Sequence, residues 1–302
     1  MVFDSSIILK AKRMIVSTGT GYAIQTSFEG LGAEISNRFD SLKIIKKSLG
    51  KQNLKNFERY QALSGSFSYS SKRLTDILIR LQEISWKRSS LAYEIEPDTF
   101  APPIDPKVFN YSNYLGLSIK DFHVDIISFM DSLAPVIIQS EMDLKSKDKK
   151  NLPGWSDIEK NTNRSYRTKL STDLCSAIDS CDRWLPLVKK IRHVLTHRKH
   201  ENIVFIPPKE GLLFQIYDHE MQASIIIPEV LYVSGKNVVD FELYSAFILS
   251  ELFVLISDLG FLLADKLGLS GKSFTKMCIR EISESTVTSI DRLSKFFINK
   301  GT

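Results

Sequence analysis

The sequence predicts a mainly α-helical fold: an antiparallel helical bundle with a small β-hairpin or sheet insertion, preceded by a helical N-terminal region. Three observations predict it. Apolar residues recur at spacings of three, four and seven over most of the chain. The main β-prone runs gather in one stretch after residue 202. Four prolines, Pro97, Pro102, Pro103 and Pro106, fall close together and mark a boundary, because proline stops a helix and restricts the residue before it. The division expected is a helical region of unknown role over 1–95, a linker over 96–108, and a helical domain over 109–302 with its β insertion at about 202–232.

Taken in order, Ser17 to Gly21 reads as a turn and Ile24 to Leu49 as a helix, weakened at its start by Gly30 and Gly32. Helices follow at Leu54–Leu63 and Lys72–Ser89. In the second, Leu74, Ile77, Leu78, Leu81 and Ile84 keep a helical period. A long helix is expected from Ile119 to Asp143, with Pro135 as a kink, and another over Arg167–His200. Pro186 either kinks this second helix or opens a fresh one. Ile203–Ile206, Leu212–Tyr217 and Ala223–Ile227 are the β-prone runs. Helices resume over Val239–Leu267 and Thr275–Asn299.

With 302 residues, 43% hydrophobic and 25% charged, the chain has a globular composition and can bury a sizeable core. A net charge of +5 does not by itself argue for nucleic acid; the distribution of charge matters more. Cys175, Cys181 and Cys278 are an odd set without CxxC spacing, as in a reduced, cytoplasmic protein with apolar filler thiols. No signal-peptide pattern opens the chain. The apolar stretch Phe241–Leu269 is interrupted by Glu251, Asp258 and Asp265, so a buried core helix is expected there and no membrane partner.

The densest chemistry lies in Leu187–His200. Three of the five histidines sit there, and no acidic residue occurs between Arg183 and His200. On an ideal helix with Leu187 at zero, Val188, Ile191, Val194 and Leu195 fall between about −20° and 100°. His193, His197 and His200 fall at about 240°, 280° and 220°, on the opposite face. Arg192 falls at about 140°, at the edge of the apolar stripe. Two other readings of these residues stand beside a catalytic one. One is a solvated basic face favoured by the helix macrodipole. The other is metal binding by the i, i+4 pair His193 and His197, against which the missing glutamate and the surrounding cations count.

The string Arg192-His193-Val194-Leu195-Thr196-His197 resembles the HEPN signature: an arginine, four to six residues, a histidine, and commonly a polar residue just after the arginine. Ile191, Leu195 and Arg198 resemble the flanking pattern, and the resemblance covers about 109–302. It implies a HEPN-like helical bundle that dimerises through the motif helix and cuts RNA without metal. Arg192 and His197 would be the active pair and His193 their support. Lys189, Lys190, Arg198, Lys199 and His200 would hold RNA. No metal and no cofactor are expected. The partners implied are RNA, a second copy of the chain and an antitoxin or regulatory protein, as for toxins and phage-defence effectors. The tyrosine whose modification silences some HEPN toxins is replaced by Lys199, so that control is not expected. Some HEPN domains bind without cutting, so a noncatalytic module for RNA or protein is the alternative.

Other motifs count for less. Gly268-Leu269-Ser270-Gly271-Lys272-Ser273 is two residues too short for a phosphate loop and reads as a helix-terminating loop. Glu251, Asp258 and Asp265 share one helix stripe, read as a solvated edge or as a carboxylate that orients a histidine or Arg192. His123 lies on a helix without basic neighbours, and His219 sits in a turn.

Overall fold

The computed structural model describes residues 4–46, 50–94, 106–142, 153–159, 166–197, 203–205, 212–215, 217–218, 223–224, 227, 231–233, 238–269 and 279–300. Helices dominate: α1 (Ser5–Arg13), α2 (Ser27–Ile44), α3 (Lys51–Glu94), α4 (Pro106–Glu141), α5 (Ser156–Glu159), α6 (Thr172–Asp179), α7 (Leu185–His197), α8 (Phe241–Lys266) and α9 (Glu284–Lys300). The strands are β1 (Ile15–Thr18), β2 (Gly21–Gln25), β3 (Ile203–Phe205), β4 (Leu213–Gln215), β5 (Tyr217–Asp218), β6 (Ala223–Ser224), β7 (Val239–Asp240) and β8 (Ile279–Ile282).

Helix ends follow their caps. Asp4 accepts from the Ser6 N–H at the start of α1, and Asp240 accepts from the Glu242 and Leu243 N–H groups at the start of α8. At the far end of α8, Gly268 adopts φ +65°, its N–H bonding to Asp265 and that of Leu269 to Ala264. This left-handed glycine, the first residue of that motif, closes the helix; Ser270 to Ser273 lie outside the described residues.

The longest departure from the expected elements is α3. The two helices expected at 54–63 and 72–89 are one continuous helix of 44 residues. The polar stretch Ser64–Ser71 does not break it, because its hydroxyls find helical partners. Ser70 Oγ donates to the Ser66 carbonyl and also to the Ser132 carbonyl of α4, at 3.0 and 2.7 Å. The second bond lies beside a gap in α4. Pro135 has no N–H, so the Asp131 carbonyl, one residue before Ser132, lacks its helical donor. Further along, Arg59 of α3 donates to the Gln139 and Ser140 carbonyls, close to the last turn of α4.

The expected helix over 167–200 is also different. It divides into α6, a 3₁₀ turn over Ser180–Arg183, and α7. Pro186 is the second residue of α7, where a missing N–H costs nothing.

The insertion after residue 202 is present as antiparallel strands: β3, β4 and β7 form one sheet, and β5 with β6 a hairpin. A second sheet was not expected. β1 and β2 form a hairpin around the predicted turn, and β8 adds to its edge with Tyr22 opposite Ile282 and Gln25 opposite Ile279. The start of the helix expected at Thr275 is therefore corrected. Ile279–Ile282 is a strand, and Ser283 accepts from the Thr286 N–H to begin α9 one residue later.

Residues 5–94 share a core with the rest. Ile8, Phe28, Leu31, Phe67 and Leu74 belong to the same apolar cluster as Phe129, Val188, Leu252 and Ile290. The proline-rich boundary falls between α3 and α4, which nevertheless pack along each other. Residues 95–105, including Pro97, Pro102 and Pro103, lie outside the described residues. By length and composition α8 is apolar enough to cross a membrane, despite its four acidic residues. However, 83% of its most apolar window is buried inside the protein.

Candidate functional site

α7 begins directly after Trp184, whose carbonyl accepts from the Leu187 and Val188 N–H groups. Its sequence has two faces, and the fold uses them as the periodicity predicts. Leu185, Val188, Ile191 and Val194 are fully buried, and the helix packs against α4. Lys190, His193 and Thr196 are exposed, and Arg192 is half-buried at the margin.

The predicted residues divide by environment. Lys189 Nζ lies 2.7 and 2.5 Å from the two carboxylate oxygens of Glu159, contributed by α5. A segment with no acid of its own thus receives one from elsewhere in the fold. Arg192 is the contrary case. Its Nε is buried and meets no hydrogen-bond partner among the described residues. A guanidinium nitrogen withdrawn from water without an acceptor is costly, and an anion reaching it would offset that cost. His193 faces outward one position further on. The backbone of His197 forms the last residue of α7; its side chain, and the whole of Arg198, Lys199 and His200, lie outside the described residues. Among the described residues, no group of three or more His, Cys, Asp or Glu is placed to hold a metal ion.

The acidic stripe of α8 is solvated only in part: Asp265 is exposed and Asp258 partly exposed, whereas Glu251 departs from that reading. Glu251 is buried, 4% exposed, and accepts from Arg183 at 3.1 Å. It neither forms a solvated edge nor touches Arg192. Burial pushes its carboxyl up to about 7, partly opposed by the Arg183 charge. Arg183 also reaches Asp4 at 3.2 Å, tying the start of α1 to the turn before α7. Asp258 pairs with Lys10 of α1. Sequence reasoning missed Arg183 because its partners lie far away in the chain at both ends.

His123 is fully buried. Its Nδ1 donates to the Ile119 carbonyl at 2.7 Å, which leaves Nε2 to accept from the Tyr244 hydroxyl at 2.9 Å. Phe122, Phe214 and Phe241 surround this pair. Burial lowers its pKa to about 4, so the ring is a neutral core group. Cys181 is buried as expected and burial pushes its thiol up, whereas Cys175 is half-buried and donates to the Arg167 carbonyl. Cys278 and His219 lie outside the described residues.

A cleft of about 670 Å³ lies away from α7, between the β1–β2 turn, α3 and the β8–α9 junction. Glu29, Glu281 and Glu284 line it with Thr18 and Thr75, and among the described residues no lysine or arginine does. Nothing in the sequence pattern pointed to it, because its walls come from both ends of the chain.

The chain matches no family model, no curated protein and no solved structure.

Proposed function

We propose that the protein is a metal-independent endoribonuclease of HEPN type, acting in the cytoplasm as a toxin or phage-defence effector. In this reading two copies meet through α7, and Arg192, His193 and His197 of each line a composite cleft. The observation that carries the reading is Arg192. It is a half-buried guanidinium whose Nε lacks an acceptor among the described residues, five positions before a histidine at the end of an otherwise well-packed helix.

The chemistry follows from the substrate. RNA carries its own nucleophile, the 2′-hydroxyl. His197 takes that proton; the 2′-oxygen attacks phosphorus; the bond to the 5′-oxygen breaks, and that oxygen takes up a proton. The products are a 2′,3′-cyclic phosphate and a 5′-hydroxyl. Imidazole suits the proton steps because it titrates near neutrality. Arg192 holds two phosphate oxygens and meets the charge that builds on them. On one ideal helix the two side chains project about 140° apart, and a cleft shared by two helices removes that difficulty. Lys190, Arg198, Lys199 and His200 supply charge along the RNA. Lys189 contributes less, because Glu159 already balances it.

Incubation of total RNA with the full chain in excess chelator tests the proposal. Cleavage with cyclic-phosphate ends is expected, falling about a hundredfold or more in His197→Ala. A folded His197→Ala variant that cuts as well as the parent overturns the reading. Salt-sensitive RNA binding without cleavage would make the protein a noncatalytic binding module instead.

A further inference from the structure

α7 carries no acid of its own, yet a carboxylate stands against its basic side. Glu159 meets Lys189 Nζ with both oxygens, at 2.7 and 2.5 Å, and its side chain is only 18% exposed. On an ideal helix Lys189 projects at about 200°, between Arg192 at about 140° and His193 at about 240°, and one turn before them. The carboxylate is therefore fixed about one helical turn from the guanidinium whose Nε has no acceptor among the described residues. Four residues cannot hold a helix by themselves, and the fold fixes α5 from both ends. At its start Trp155 is buried and donates its N–H to Asp131 Oδ1 at 2.9 Å, with Ile158 buried one turn on. At its end Arg167, paired with Asp179 at 2.6 Å, turns its other terminal nitrogen to the Ile158 and Glu159 carbonyls.

We propose that Glu159 is a built-in competitor for the RNA backbone. It holds Lys189 in an ion pair that a phosphate has to displace, and so restrains RNA binding along α7. The inference rests on the reading of α7 as an RNA-cleaving face. The pair is partly exposed, with Lys189 at 37%, so it is weak enough to be exchanged and strong enough to weaken the RNA complex several-fold. Its removal gives the RNA one more cation and releases one more set of counterions from the strand. The backbone carbonyl of Glu159 keeps its contact with Arg167 when the side chain is neutral, so α5 stays in place.

Fluorescence anisotropy of the full chain with a single-stranded 2′-O-methyl RNA oligonucleotide tests it, because a blocked 2′-oxygen separates binding from cutting. Glu159→Gln should bind about two- to fivefold more tightly than the parent, with an unchanged melting curve. The slope of log affinity against log salt should steepen by about 0.7. Lys189→Ala should weaken binding more in the Glu159→Gln background than in the parent, because only there is the ammonium released. The proposal is overturned if Glu159→Gln binds no more tightly than the parent, or if the gain survives in full without Lys189. It is overturned as well if neither protein binds the oligonucleotide. Proteins that bind as expected but leave ordinary RNA uncut in chelator overturn the nuclease reading alone, and the restraint stands. Cutting by the parent with equal affinities in parent and Glu159→Gln does the reverse.

Discussion

Arg183 and Arg192 stand on either side of the start of α7 and meet opposite fates. Arg183 is held between Asp4 and the buried Glu251, whereas the Nε of Arg192 has no acceptor among the described residues. The sequence distinguishes them poorly, since both stand in a basic segment. Helical periodicity did place Arg192 at the margin of the apolar stripe and His193 on the outer face, because those positions depend only on the geometry of one helix. The Glu159 partner of Lys189 was not legible, because an ion pair between distant segments leaves no local pattern. His123 was also set apart correctly from the basic cluster, and its burial leads to a pH effect. Unfolded, it titrates near 6.5; folded, near 4. The unfolded state therefore binds the extra proton, and stability falls as pH drops from 6.5 to 4, by about 3 kcal/mol at most. Glu251 acts in the opposite sense: its raised value favours the folded state at low pH, an advantage lost as pH rises from 4.5 to about 7. Urea unfolding across pH 4 to 7 should show the histidine's acid slope disappear in His123→Gln. A variant with the parent's slope would show that the ring is not the group responsible.

At the scale of elements, the helices were legible where apolar spacing is regular, and their boundaries where a cap or proline stands. The β1–β2 hairpin and β8 were missed because each is five residues or fewer, and their pairing joins the two ends of the chain. α3 was read as two helices because the Ser64–Ser71 stretch has poor helix formers whose compensating bonds are tertiary. The glycines of the helices make a paired test of packing. At Gly260 of α8, an added Cβ would lie 2.5 Å from the Phe28 backbone nitrogen of α2. Gly260→Ala should destabilise the protein by about 1–3 kcal/mol, since backbone has to move. At Gly65 of α3 an added Cβ meets nothing within 4 Å. Gly65→Ala should therefore stabilise by about 0.5–1 kcal/mol. Thermal melts of the two variants should shift in opposite directions; equal shifts would contradict the close approach of α2 and α8.

At the scale of the whole molecule, the proline-rich boundary predicted from sequence does not divide the core. α1 packs on α8 and α9, α2 on α8, and α3 on α4. A fragment of residues 1–95 leaves Ile8, Phe28, Leu31 and Leu74 without the partners that bury them. It should lack cooperative unfolding by circular dichroism, while the full chain unfolds in one transition; a fragment that melts cooperatively would restore the division. The β1–β2–β8 sheet gives this unity a dimension in time. β2 leaves the ribosome some 250 residues ahead of β8, so at about 5–20 residues per second its edge stays open for roughly 13–50 s. During that interval β2 presents a free row of backbone donors and acceptors beside that of β1. The first sheet is complete only once β8 has been made, and a translation product that stops before it lacks the third strand.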